Sequence, residues 1–274
     1  MSASSLSLAG PGSCHRAALV VAHPGHELRV HRWLELTRPL VFVLTDGSGN
    51  HGVSRLDSTT ALLGRAGATP GSIYGRLSDR DLYRALLGGD LGLFSALAEE
   101  LARGLEDVDV VAGDAVEGYN PGHDVCRLLL NAAVLRLEGE GRRIANFEFP
   151  LVGAPDDCPA ADLGAALRLE LDADALGRKL DAARAYPELA GEVDAALAAH
   201  GSDRFRVECL RPVRYGLDVG SRFQHPPFYE TYGEQRVAQG LYGEVIRFRG
   251  HLEPVAEELR RQVAEESRRA CASC

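Results

Sequence analysis

The sequence predicts an α/β fold with a mostly parallel sheet, and two observations support that prediction. Four short apolar runs have the length and the β-branched content of buried strands, and they cover residues 17–22, 40–44, 108–112 and 144–149. Between and after these runs, apolar residues recur at helical spacing. Strands that alternate with helices imply parallel strands covered by helices on both faces. The predicted fold class is therefore Rossmann-like.

The predicted helices follow the strands along the chain. They cover residues 28–36, 91–105, 125–137, 172–199 and 253–269. Asp124 lies near the start of the third helix, where a negative charge suits the helix dipole. The long helical region 172–199 is expected to break near Tyr186-Pro187, because proline removes a helical hydrogen bond.

The pattern changes after residue 200 and predicts a helical and loop-rich C-terminal extension. Residues 205–210 alternate like an outer strand. Residues 221–232 are rich in proline and aromatic residues, so we expect an ordered loop there. This loop would either form a wall over a binding site or pack its aromatic rings on the core. We expect a single domain over 1–274, with a leader at 1–15 and the extension at 211–274.

Composition narrows the range of partners. The formal net charge of -9 argues against a broad basic face, so nucleic acid is not expected as a partner. No apolar run approaches the about 18 residues that a membrane helix needs, and the first residues lack the pattern of a secretory signal. A small-molecule substrate is expected, and a homo-oligomer is left open. The abundance of Ala, Arg, Leu and Gly is typical of a GC-rich bacterial genome.

The cysteines indicate a reducing compartment. Six cysteines are scattered along the chain, without the spacing of a small disulfide-rich domain: Cys14, Cys126, Cys158, Cys209, Cys271 and Cys274. We therefore expect reduced thiols and a cytoplasmic location. The last pair forms an isolated CxxC at the chain end, which we interpret as part of a solvated tail.

The first apolar run ends at two histidines. Residues 17–22 are followed directly by His23-Pro24-Gly25-His26-Glu27. Ligands of α/β sheets bind at the carboxyl ends of the strands. Neutral imidazoles on a tight turn at that edge are suitable metal ligands.

A second histidine follows another strand in a similar way. The run 108–112 leads to Asn120-Pro121-Gly122-His123, directly before a predicted helix. If both strands are central, their ends open into the same crevice, and His23, His26 and His123 would converge. Three protein ligands with an open position are usual for catalytic zinc.

These two clusters resemble the signatures of the PIG-L/LmbE-like family of zinc-dependent N-deacetylases. Ala22-His23-Pro24-Gly25-His26-Glu27 resembles the family's Ala-His-Pro-Asp-Asp-Glu motif, and Asn120-Pro121-Gly122-His123 resembles its His-Pro-Asp-His motif. Weaker similarity runs through residues 44–47, 114–119 and 204–208. The resemblance covers most of the chain up to about residue 210, so the expected PIG-L-like core is 16–210.

The resemblance implies a metal site and a reaction. The family's zinc ligands fall on His23, His26 and His123, with His26 in place of an aspartate. One Zn²⁺ per chain is implied, and imidazole ligands would also admit another divalent transition metal. The implied activity is hydrolysis of an amide, through a metal-bound water, in an N-acyl amino sugar or a related small metabolite.

Two departures from the family pattern concern acid-base chemistry. The family's general base falls on Gly25, which cannot take a proton. The histidine that stabilises the oxyanion falls on Asn120, which can still donate a hydrogen bond. Candidates for the base are Glu27, Asp46, Asp114 and Asp124, and His225 is an acid-base candidate if the aromatic segment folds over the metal. Asp46 is the most attractive of these, because it follows a strand that should end near the site, but Asp-Gly-Ser-Gly is somewhat more typical of a turn. Glu27 could instead hold a histidine ligand or cap the following helix.

Three functional hypotheses follow from the sequence. The first is a zinc-dependent amidohydrolase of the PIG-L-like class. The second keeps the three-histidine site for a non-hydrolytic reaction of specialised metabolism. The third is a catalytically inactive module that binds a metabolite.

Overall fold

The computed structural model describes residues 16–49 and 52–272, with side chains up to residue 269. The expected leader at 1–15 and the side chains of Cys271 and Cys274 lie outside the described part. Within it, seven strands form one sheet: β1 Ala17–Val21, β2 Leu40–Thr45, β3 Thr69–Leu77, β4 Val110–Asp114, β5 Ala145–Phe149, β6 Leu167–Glu170 and β7 Val207–Pro212. The strand order is β3-β2-β1-β4-β5-β7-β6.

The sheet is mostly parallel, as the sequence predicts. β1 pairs in parallel with β2 and β4, and parallel pairing continues to β3 on one side and to β5 on the other. β7 is antiparallel to both β5 and β6. The strand order reverses at β1, because β2 and β3 lie on one side of it and β4 and β5 on the other. Open α/β sheets bind ligands at such a switch point.

Nine helices lie within the described residues. They are α1 His31–Thr37, α2 Leu56–Ala66, α3 Asp79–Gly88, α4 Leu91–Leu105, α5 Pro121–Gly139, α6 Ala173–Arg184, α7 Ala190–His200, α8 Phe228–Ala238 and α9 Glu253–Ala272. A 3₁₀ helix, His26–Val30, joins β1 to α1. None of the described helices has the length and apolar character to cross a membrane.

Helices cover both faces of the sheet because successive strand residues point to opposite sides. In β1, Ala18 and Val20 belong to the hydrophobic cluster that also contains residues of α4, α5 and α9. Leu19 and Val21 belong to the cluster with α1 and α2. All five residues of β1 are buried, which explains its continuous apolar run.

Several elements differ from the sequence prediction. The prediction missed β3, α2, α3 and β6. β3 contains Pro70 and two glycines, which are typical of loops, but it is the edge strand beyond β2, where proline is tolerated. The expected loop at 221–232 is wrong from Phe228 onward, because α8 begins there directly after Pro227. The break in the region 172–199 is confirmed, since α6 and α7 are separated at Pro187.

The expectation of reduced thiols throughout is wrong for one pair of cysteines. Cys158 and Cys209 form a disulfide, and their Cα atoms are 6.1 Å apart. The pairing joins β7 to the segment before β6. The two cysteines are 51 residues apart in sequence, so no local pattern indicates that they pair. Cys126 is free and buried, so its thiol behaves as a small apolar group.

A buried ion pair fixes the segment that follows the first histidine turn. Glu208 of β7 accepts hydrogen bonds from the backbone N–H groups of Arg32 and Trp33 at the start of α1. Lys179 of α6 donates to Glu208 Oε1 at 2.8 Å and also to the carbonyl of Arg29. Both charged side chains are almost fully buried. This network therefore locks α1, α6 and β7 together directly behind the histidine turn.

Removing one partner of this pair tests the network. We expect Lys179→Met to lower the free energy of unfolding by about 3–5 kcal/mol, because the Glu208 carboxylate would remain buried without its cation. Arg184→Met is the matched control on the same helix, since Arg184 is exposed, and its effect should stay within about 0.5 kcal/mol. Urea unfolding followed by circular dichroism measures both. Equal effects of the two substitutions would contradict this role of Lys179.

Candidate metal centre and cavity

The structure brings the three predicted histidines together. His23 and His26 follow β1, and His123 lies in the first turn of α5, which follows the neighbouring strand β4. The ring centroids of His23 and His26 are 5.3 Å apart, those of His23 and His123 are 5.2 Å apart, and those of His26 and His123 are 4.6 Å apart. The ends of two adjacent parallel strands therefore place three imidazoles in mutual contact.

Two glycines permit this close approach. Gly25 has φ of 105°, a left-handed conformation that turns the chain between the two histidines. At Gly122, a Cβ atom would lie 3.0 Å from His23 Nε2, so glycine lets the start of α5 reach the first turn. Asn120 caps α5 by accepting a hydrogen bond from the Gly122 N–H at 2.7 Å. Both turns therefore depend on residue types that the sequence motifs contain.

His23 is held through its Nδ1 atom. This atom lies 2.8 Å from Thr45 Oγ1 and 3.0 Å from Asp79 Oδ1. The Thr45 hydroxyl donates to the carbonyl of Ala22, so it accepts from His23. Burial alone would raise the pKa of Asp79, but the nearby His23 imidazole and a hydrogen bond from the Gly49 N–H lower it. His23 Nδ1 therefore faces the Asp79 carboxylate, and the buried Nε2 of His23 has no hydrogen-bond partner.

His26 is held in the same manner by Asp114. Its Nδ1 lies 2.9 Å from Asp114 Oδ2, which also accepts the backbone N–H of Ala22 at 2.7 Å. Burial lowers the pKa of His26, and this effect exceeds the opposing influence of Asp114. A neutral imidazole that donates from Nδ1 keeps the lone pair on Nε2. A carboxylate behind a histidine is the usual support of a metal-binding imidazole.

His123 completes the group from the first turn of α5. Its Nδ1 is buried and has no hydrogen-bond partner. Burial lowers the pKa of His123 well below its ordinary value, and the proximity of His26 and His23 lowers it further. His26 and His123 therefore lie in an environment that suits the neutral, coordinating form of imidazole.

The spacing of the rings fits one metal ion. Three imidazoles that bind a tetrahedral zinc ion through bonds of about 2.0–2.1 Å would place their ring centroids about 5 Å apart, close to the separations seen here. As the side chains stand, however, no three His, Cys, Asp or Glu residues in the described ranges form a ready metal-binding group. Metal binding would therefore require the imidazole rings to rotate while the distances between their centroids stay as they are. His23 Nε2 and His123 Nδ1 are buried without a hydrogen-bond partner, and such a rotation would give these atoms a metal ion to bind.

Of the other predicted site residues, Asn120 lines the cavity beside the histidines, and three lie elsewhere. Glu27 is fully buried and accepts hydrogen bonds from the Gly25 N–H and the Thr59 hydroxyl, so it supports the turn from behind. Asp46 accepts the Ser48 N–H in a turn and does not line the cavity. His225 is exposed and also lies outside the cavity lining.

The two remaining carboxylate candidates have supporting roles. Asp114 accepts from Ala22 and faces His26, as described above. Asp124 Oδ1 accepts the N–H groups of Glu117 and Gly118, which fixes the loop before α5. Burial raises the pKa of Asp124 to about 7, partly offset by these hydrogen bonds.

Asp79 is a site residue that the sequence prediction missed. It lines the cavity and begins α3, directly after the unpredicted strand β3. The signal that identifies α3 is the cap formed by Ser78, whose hydroxyl oxygen accepts the Asp81 N–H. A prediction that included this cap would have placed Asp79 at the same sheet edge as the histidines.

The histidines lie in a cavity of about 1310 Å³. Its walls come from the turn after β1, from α3, from α6 and α7, and from α8 with the chain that follows it. Tyr119 stacks on Phe228 with ring centroids 5.1 Å apart, and Phe228 stacks on Tyr232 at 5.8 Å. These rings are partly exposed and line the cavity, so the aromatic segment contributes a wall to the site.

A substitution at Gly25 tests the geometry of the first turn. Gly25→Ala should destabilise the protein by about 1–3 kcal/mol, because its φ is left-handed and the new Cβ would collide with Leu189. Gly64→Ala is the control, since Gly64 lies in α2 and has open space around the position of a Cβ atom. This variant should be more stable than the wild type by about 0.5–1 kcal/mol. Thermal and urea unfolding measure both. A neutral Gly25→Ala would show that the turn tolerates a side chain.

Comparison with protein-family models, with curated proteins and with solved structures finds no match for this chain. The resemblance to the PIG-L/LmbE-like family therefore depends on the two motifs and their positions after β1 and β4. What it implies about metal and activity is a proposal.

Proposed function

We propose that the protein is a metal-dependent enzyme, with zinc as the metal, that hydrolyses an amide of an N-acyl amino sugar or a related small metabolite. The observation that carries the proposal is the contact of three imidazoles at the carboxyl edge of the sheet, two of them held by carboxylates through Nδ1. The proposal places the chain in the PIG-L/LmbE-like class. Its substrate would enter the cavity above the histidines.

In this proposal His23, His26 and His123 hold the metal. A bound zinc ion would supply Lewis-acid chemistry, polarising the substrate carbonyl and acidifying a water molecule. Asp79 and Thr45 hold His23 through Nδ1, and Asp114 holds His26 in the same way, so Nε2 of each ring is the nitrogen left for the metal. The two carboxylates also offset the positive charge that the neutral ligands leave uncompensated.

Asn120 is suited to stabilise the oxyanion of an acyl-transfer reaction. Its Oδ1 accepts from the Gly122 N–H and from the Tyr83 hydroxyl at 3.3 Å. With the oxygen engaged on both sides, the Nδ2 group is the free end of this cavity-lining side chain. A fixed N–H donor at such a position lowers the energy of a developing negative charge.

A non-hydrolytic metalloenzyme is the second candidate, and Gly25 favours it. The family's general base would project from position 25, but Leu189 occupies the space that a side chain there would need. Asp79 contacts His23, and its lowered pKa makes it a weak proton acceptor. Incubation with N-acyl glucosamines separates the candidates: hydrolysis releases a free carboxylic acid and a primary amine. Stoichiometric metal without any such release would favour the second candidate.

Metal content tests the premise that both candidates share. The purified protein should contain about one zinc ion per chain, and His26→Ala and His123→Ala should each reduce that to a small fraction. His225→Ala should retain the metal, because His225 is exposed and lies away from the cavity. Plasma mass spectrometry after dialysis measures all four proteins. Equal metal content in the wild type and the His123→Ala variant would overturn both candidates.

An Asn120→Asp substitution tests the oxyanion donor. Aspartate keeps the helix cap, because its carboxylate still accepts from Gly122 and Tyr83, but it removes the N–H donor. We expect kcat to fall by about 10²–10³-fold with unchanged thermal stability. Gln239→Glu is the matched amide-to-carboxylate control on an exposed position after α8. An undiminished kcat in Asn120→Asp would remove Asn120 from the mechanism.

A further inference from the structure

Helix α7 has an apolar stripe that the protein itself does not fully bury. Val193, Ala196 and Leu197 recur at helical spacing, but α7 contains no fully buried residue. All three line the cavity instead. A helix of an ordinary globular core buries such a stripe against another element. Here the stripe faces the space in which a substrate would bind.

The neighbouring part of α6 continues this surface. Leu180 and Ala183 of α6, with Leu28 from the 3₁₀ helix, line the same side of the cavity and are half-buried. Lys179 also lines it, but its ammonium group is directed to Glu208 and to the Arg29 carbonyl. Its methylene stem is therefore the part available to the cavity. We call these residues of α6, α7 and the 3₁₀ helix the aliphatic groove.

The aliphatic groove approaches the histidines at the turn between α6 and α7, although the exposed Glu192 of α7 also lines the cavity. Leu189, in the turn between α6 and α7, contacts Gly25, which lies between His23 and His26 in sequence. Tyr186, one turn earlier, is also close to Gly25 and is anchored by the Thr59 hydroxyl at 2.8 Å. The groove therefore starts at the turn that bears the proposed metal ligands and extends along α7.

The size of the cavity indicates a substrate larger than an acetylated sugar. At about 1310 Å³ it exceeds the range of about 300–1,000 Å³ that is usual for small-molecule sites. An acetyl group at the histidines would leave the aliphatic groove without an occupant. A long alkyl chain attached to the scissile carbonyl would fill it, since the groove begins at that point.

We infer that the aliphatic groove binds the acyl chain of an N-acyl substrate, a linear saturated chain of medium length, while the polar part of the substrate lies toward the aromatic wall of Tyr119, Phe228 and Tyr232. This inference rests on the proposed function for the identity of the scissile bond. It extends that function by naming the substrate class: amphiphilic N-acyl compounds rather than N-acetyl compounds. The recognition is hydrophobic and scales with chain length.

Binding of a homologous ligand series tests the groove independently of turnover. N-acyl glucosamines with acyl chains of two, four, six and eight carbons are titrated by calorimetry into the protein with its metal site inactivated by His123→Ala. Each added methylene should increase the affinity by about fourfold. The heat-capacity change should become more negative along the series, because more apolar surface is buried. An affinity independent of chain length, or no binding of any member, overturns the inference.

A charge placed on α7 tests the position of the chain. Ala196→Asp should weaken binding of the eight-carbon ligand by at least about tenfold, because a carboxylate would face the alkyl chain without a partner. Ala195→Asp is the matched control, since Ala195 is the preceding residue on the same helix and is exposed. Leu197→Ala is a milder second variant that should weaken the eight-carbon ligand and leave the two-carbon ligand unchanged. Equal behaviour of Ala196→Asp and Ala195→Asp overturns the inference.

The wild-type protein distinguishes failure of the groove from failure of the proposed function. If chain-length-dependent binding is found but no acid is released, the groove is supported and hydrolysis fails. If acid is released at rates that do not depend on chain length, hydrolysis is supported and the groove is overturned.

Discussion

The candidate site depends on the two hydrogen bonds that the carboxylate of Asp114 accepts. One oxygen accepts both the Ala22 N–H at the end of β1 and the Nδ1 proton of His26. The same side chain therefore joins strands β1 and β4 at their carboxyl ends and fixes the orientation of His26. Arg127 supports it from α5 by donating to the Asp114 carbonyl and to the Phe147 carbonyl of β5. The geometry of the imidazoles is thus a consequence of how the central strands are tied together.

The glycine at position 25, where the resembled motif has an aspartate, has a structural explanation. Gly25 turns the chain between two ligand candidates in a left-handed conformation, and Leu189 packs against it. The space that an acidic side chain at position 25 would require is occupied by the side chain of Leu189, next to which the aliphatic groove begins. A substitution of the motif's aspartate by glycine and the presence of an apolar groove are therefore two aspects of one arrangement. This arrangement favours binding of an apolar group next to the proposed metal ligands over proton transfer at that position.

Much of the fold and the histidine cluster could be predicted from the sequence, because both depend on local patterns. The buried strands β1, β2, β4 and β5 appear as continuous apolar runs, and the strand order then brings His123 beside His23. Asp79 could not be found in the same manner, since it follows β3, whose proline and glycines resemble a loop. The disulfide of Cys209 and the contact of Leu189 with Gly25 depend on long-range packing, which no local pattern records.

The central claim is that His23, His26 and His123 bind one metal ion together. Anomalous diffraction from crystals of the protein, recorded on both sides of the zinc absorption edge, tests it most directly. The account predicts one anomalous peak per chain, between the three imidazoles, with zinc–nitrogen distances of about 2.0–2.1 Å. The absence of a peak in crystals grown with zinc, or a peak bound elsewhere on the chain, would contradict the account.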